Sequence, residues 1–132
     1  MVFLNEELKN KIYEKLKEID PNVFYGLATQ SFLKNASELN YIVYGNSGFN
    51  KSSASKNDLV DYFSIAIVRE NYVLDQTRQE VIKKILEIPG IKLADEKADN
   101  AYIRKGNTDI LLEILTIPFA KFRKGYIDQC LV

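Results

Sequence analysis

The stretch DLVDYFSIAIVREN, residues 58–71, alternates along its whole length. Leu59, Asp61, Phe63, Ile65 and Ile67 fall on one face of an extended chain, and Val60, Tyr62, Ser64, Ala66 and Val68 on the other. Its β-branched and aromatic content is that of a strand. At ~3.3 Å per residue such a strand spans about 40 Å. That is long for a domain of 132 residues, so one end is expected to project beyond the core.

The cover for such a sheet is written in two amphipathic segments. Leu4, Leu8, Ile12, Leu16 and Ile19 recur every three or four residues, which places them on one helical stripe. Asn5 is a candidate N-cap, Glu6 and Glu7 suit the positive end of the helix dipole, and Asp20-Pro21 ends the helix. The second segment, 74–90, has Asp75 as candidate N-cap and Val81, Ile82, Ile85 and Leu86 as its buried face. Pro89-Gly90 stops it.

Between and after these lie shorter strand signals. Residues 22–28 and 41–46 read as extended, 29–40 as loop with room for a helical turn, and 91–97 as a short strand. Residues 101–124 read as a hairpin turning at Gly106-Asn107. Its second arm, Ile110 to Phe119, is nearly continuous in apolar residues and is expected to be central in the sheet. Pro118 is expected to mark an edge or an exit from it. The fold class that follows is α+β, with two helices packed on one face of a mainly antiparallel β-sheet. One domain covers residues 1–132, and an apolar content of 46% suffices for one core. Residues 125–132 are expected to fray.

Several classes of chemistry are disfavoured. There is no histidine, which removes the usual general base near neutral pH and the commonest metal ligand. Cys130 is the single cysteine, so no intramolecular disulfide and no thiolate cluster can form. The carboxylate pairs Glu6-Glu7 and Asp95-Glu96 read as solvated charges. Gly45, Gly48 and Lys51 lack the spacing of a phosphate-binding loop. Catalytic, cofactor and metal residues are therefore all expected to be absent. The charges balance at 18 of each sign, which argues against a dedicated nucleic-acid binder. The first twenty residues carry charges every few positions, unlike a secretion signal, and no apolar run approaches a membrane span. The protein is expected to be made and kept in a cytoplasm.

Two features call for a function. YGNSGFNKSSASKN, residues 44–57, separates two strand signals, and 45–57 is expected to be a flexible loop. Phe49 is its apolar anchor, and Lys51 and Lys56 its cations. AKFRKG, residues 120–125, is the one basic cluster, with Lys121, Arg123 and Lys124. It suits either a charged edge that discourages sheet-to-sheet pairing or a contact with an acidic partner.

The order of elements carries a resemblance. An amphipathic helix is followed by Val23-Phe24-Tyr25-Gly26, then by Tyr41-Ile42-Val43-Tyr44, a polar loop, a long strand, a helix and a hairpin. Over residues 4–124 this resembles the small tail-terminator and tail-completion (head–tail joining) proteins of long-tailed bacteriophages. In that family a v-Y-y-G element follows the first helix, and a P-y-v-v-Y-like strand comes after it. The resemblance implies a structural protein of the virion, without cofactor or reaction. It implies a homo-oligomeric ring, commonly sixfold, at the head-proximal end of the tail tube. Its partners would be the major tail tube protein and the head connector or neck proteins, with nucleic acid only passing through the ring. The expected assembly interface is Phe49, Lys51, Lys56, Lys121, Arg123 and Lys124. A neck or head-completion subunit of similar fold, and a small nucleic-acid-binding or regulatory adaptor domain, stay open as alternatives.

Overall fold

The computed structural model of the protein describes residues 6–51 and 57–125. In chain order these form α1 (Glu6–Lys17), β1 (Val23–Tyr25), α2 (Gln30–Asn35), β2 (Tyr41–Lys51), β3 (Leu59–Glu70), α3 (Asp75–Leu86), β4 (Ile91–Leu93), β5 (Asp99–Arg104) and β6 (Leu111–Arg123). The sheet runs β1-β2-β3-β6, and β4 and β5 share the outer edge of β6. Only the β1–β2 pair is parallel among the described strands. The fold is α+β with a mostly antiparallel sheet, as the sequence predicts.

Helices α1 and α3 lie side by side on one face of the sheet. Leu8, Ile12 and Leu16 of α1, with Val81 and Ile85 of α3, enter one core with Ile42, Phe63, Ile65, Ile67, Leu115, Ile117 and Phe119. Phe63 and Phe119 stack there with ring centroids 5.4 Å apart. Burial of a side chain of this size stabilises by about 1.5–3 kcal/mol relative to exposure. Leu4 and Asn5 lie outside the described residues. Two details of α3 differ from expectation. The N-cap is Leu74, with no side-chain cap bond, and Asp75 is already helical. The Asp75 carboxylate accepts from Arg78 and from Gln79 Nε2 (2.7 Å), so it serves the first turn without capping it. Leu86 is 40% exposed, because only Val81 and Ile85 point straight at the sheet.

The short helix α2 lies on the opposite face. Thr29 Oγ1 caps it by accepting from the Phe32 N–H at 3.1 Å. Phe32 then packs against Phe24 (5.1 Å between centroids) and Tyr41 (5.4 Å). The rest of that face has no helix over it among the described residues.

The long strand forms, but neither end projects. Leu59 and Asp61, at its start, are buried as fully as the middle. β2 flanks β3 from Leu59 to Val68 and β6 from Leu59 to Glu70, so it is a central strand over nearly its whole length. Of the loop expected over 45–57, residues 45–51 are corrected in the same way, and residues 52–56 lie outside the described residues. β2 continues through Gly45 to Lys51, pairing Phe49 with Asp61 and Lys51 with Leu59. A regular partner strand overrides the weak strand propensity of Gly, Ser and Asn. The irregularity survives as a bulge between Asn46 and Gly48. Gly48 has φ +130°, which only glycine adopts readily.

β6 is central, as expected, but Pro118 neither ends it nor leaves the sheet. It pairs with Ser64, and the strand continues to Arg123. The Ala94 N–H donates to the Pro118 carbonyl at 3.0 Å. The N and C=O of one residue in an antiparallel strand face the same neighbour. The missing N–H therefore faces the gap where β4 gives way to β5, and no ladder bond is lost. The hairpin turn is also longer than two residues. The Thr108 N–H donates to the Lys105 carbonyl (3.0 Å) around Gly106, φ +53°, and Asn107. The ladder closes one step earlier, by the Lys105 N–H to the Ile110 carbonyl at 2.9 Å.

Candidate functional site

The register of three strands joins the two sequence clusters. At one end of the sheet Lys51, Leu59 and Arg123 form a row, and Phe49, Asp61 and Lys121 form another on the same face. Between them Asn50, Val60 and Phe122 form a row on the opposite face. Phe49 is 54% exposed and Phe122 44%. Lys51 and Lys124 are exposed as well. Lys56 and Cys130 lie outside the described residues, as does the tail beyond Gly125.

Two of the expected cations are committed internally. Arg123 Nη1 donates to Asp61 Oδ2 at 2.9 Å. Lys121 Nζ donates to the Pro89 carbonyl at 3.3 Å, tying the end of β6 to the loop after α3. Both are therefore positioning groups more than open contacts. Burial pushes the Asp61 carboxyl above its usual range, and the Arg123 guanidinium pulls in the other direction. Asp61 Oδ1 is buried with no hydrogen-bond partner. Asp58 performs a related task. Its Oδ1 accepts from the Gly125 N–H at 2.6 Å and fixes the chain just past Lys124.

The uncovered face beside Phe122 is a shallow trough of about 450 Å³, lined by Asn50, Val60, Tyr62, Lys92, Leu93 and Phe122 among others. Sequence reading missed this surface. Phe122 lies inside the basic cluster, and its alternation with Lys121 and Arg123 was the available signal. The trough offers apolar area, two cations (Lys51 and Lys92) and one carboxylate (Asp95), which suits a protein surface better than a small polar substrate.

The opposite end of the sheet is held by buried polar groups. Glu113, within LLEILTI, accepts from the Val73 N–H (2.5 Å), Asn100 Nδ2 (2.9 Å) and the Tyr102 hydroxyl (3.0 Å). These bonds, the one from Val73 foremost, hold its carboxyl below the usual range. Asp20 pairs with Arg69 at 2.8 Å. Glu70 pairs with Lys105 and accepts from the Leu39 N–H (3.2 Å). Each of these carboxylates joins segments distant in the chain, which is a structural role. The pairs singled out in the sequence are solvated: Glu7 meets Lys11 at 3.2 Å on an exposed helix face, and Asp95 and Glu96 are exposed. No group of three potential metal ligands occurs among the described residues. No helix among them is long and apolar enough to cross a membrane.

No family model matches this chain, and no curated protein matches it.

Proposed function

We propose that this chain is a structural subunit that closes into a ring at the head-proximal end of a phage tail tube, ending tube growth and presenting a joining surface to the head. The observation that supports this most is the meeting of Phe49, Phe122, Lys51 and Lys124 at one end of the sheet. An exposed aromatic on each face is the make-up of an interface anchor, with Lys51 and Lys124 as its polar rim. Among the described residues no strand covers β2 beyond Tyr44, so its last turn of ladder also faces outward. The ordered bulge and ladder revise the assembly scheme. Residues 45–51 are preformed, so docking them carries little ordering cost.

One such end and one receiving surface per subunit give heterologous contacts, and these form a ring when the rotation closes. Phe49→Ser with Phe122→Ser tests the surface. The double variant should fold as the wild type does and stay below ring mass in light scattering. Rings formed by the double variant would remove this end of the sheet from the interface.

A further inference from the structure

The outer edge of β5 carries a second recognition surface, of a different kind. All six residues of Asp99–Arg104 are exposed. The Lys105 N–H points to β6, where it donates to Ile110. Backbone polarity alternates along a strand, so Ile103, Ala101 and Asp99 also direct theirs to β6. Asn100, Tyr102 and Arg104 direct theirs away from the sheet. No backbone group of the described residues bonds to them on that side. The edge has no proline and no bulge within it, and its charged residues, Asp99 and Arg104, stand at its two ends.

We propose that β5 pairs antiparallel with β5 of a second copy about a twofold axis through Tyr102, making one continuous sheet across two chains. The sequence fits this register and not its neighbour. A twofold axis normal to a sheet keeps each face on its own side, so only residues of the same face can meet. The centre must then be a residue, Ala101 or Tyr102. Centring on Tyr102 sets Tyr102 against itself and Asn100 against Arg104 of the second copy. On the other face it sets Ala101 against Ile103 and Asp99 against Lys105, whose ammonium is already held by Glu70 and the Ser37 carbonyl. Tyr102 meets its own copy, Ala101 and Ile103 are both apolar, and Arg104, which bonds Asp109 of its own chain at 2.6 Å, faces the polar, neutral Asn100; every pair occurs twice except the central one. The outward groups of Asn100, Tyr102 and Arg104 also fall opposite one another, so about six backbone hydrogen bonds form. Centring on Ala101 sets Asp99 against Ile103 and leaves the Arg104 groups outside the paired segment, so about four backbone hydrogen bonds form in place of about six.

The pairing does not rest on the ring reading. β5 lies against residues 111–116 of β6, and the aromatic end lies at residues 119–123, so both surfaces can be occupied at once. Cysteine cross-linking reads the register directly, in full-length protein carrying Cys130→Ser. Under mild oxidation Tyr102→Cys should give a covalent dimer, and Ala101→Cys should give little. In sedimentation, Tyr102→Pro removes an outward N–H and leaves the β5–β6 ladder whole. It should raise the dimer dissociation constant about tenfold or more, with Tyr102→Phe close to wild type. Tyr102→Phe controls for loss of the hydroxyl bond to Glu113. Wild-type protein that stays monomeric at several hundred micromolar, or cross-linking through Ala101→Cys in place of Tyr102→Cys, would overturn the proposal.

Discussion

Arg123 reaches diagonally across the sheet to Asp61: it stands opposite Leu59, yet its Nη1 lies 2.9 Å from Asp61 Oδ2. Asp61 is 1% exposed, so its charge is tolerated only because of that contact. The pair anchors the end of β6 that carries Phe122 and Lys124. Removing Arg123 should leave the buried Asp61 carboxylate without its ion-pair partner. Arg123→Met should lower unfolding stability by about 3 kcal/mol, because it strands a buried carboxylate, and adding Asp61→Leu should recover much of that loss. Urea unfolding of the four proteins measures the coupling. Additive losses would show that the pair is not a unit.

The pH dependence follows from opposite shifts at the two ends of the sheet. Glu113 and Glu70 titrate below the usual carboxylate value when folded, Glu113 through the Val73 N–H first and Glu70 through Lys105 first. The unfolded chain then binds more protons than the folded one as pH falls below about 4.5. The stability these groups contribute is present above that value and is lost as pH drops through their folded values. Asp61 is raised, so folding favours its protonated form, and its contribution grows as pH falls through its folded value. Glu113→Gln should therefore flatten the acid loss of stability, and Asp61→Asn should steepen it. Chemical denaturation between pH 3 and 7 tests both signs.

The core prediction concerns Phe119, which is fully buried and stacked on Phe63. Phe119→Ala should lower stability by about 3–5 kcal/mol, because the lost transfer free energy is joined by a cavity that neighbouring strands cannot close. Thermal and denaturant unfolding would show it.

The bulge gives a sharper test of the end of β2. Gly48 sits at φ +130°, with no atom near an added Cβ. Gly48→Ala should cost about 1–3 kcal/mol through backbone strain alone, since nothing would clash. Ser47→Ala, at the extra residue of the bulge, should change stability little. Equal effects at both positions would show that backbone conformation is not what fixes the bulge.

Elements with strong periodicity were legible in the sequence. α1 was plain from Leu8, Ile12 and Leu16, and β3 from its strict alternation, down to which face each residue takes. The end of β2 was not, because Gly-Asn-Ser-Gly has the composition of a loop and is a strand only by virtue of β3 beside it. Pro118 misled for a related reason: its harmlessness depends on facing the gap between β4 and β5, which no local rule reveals. The site was half legible. Phe49 and the 121–124 cluster each stood out, but their adjacency is a matter of register. So is the pairing that turns Arg123 from an open cation into the partner of Asp61.

The most direct test of the assembly role is to image the wild-type protein by negative stain across a concentration series, with its mass measured by light scattering on the same fractions. The account predicts closed rings with a central hole, at a mass that is a fixed multiple of 15.2 kDa, and their loss in the Phe49→Ser/Phe122→Ser variant. A folded wild-type protein whose mass stops at one or two chains at the highest concentration would contradict it.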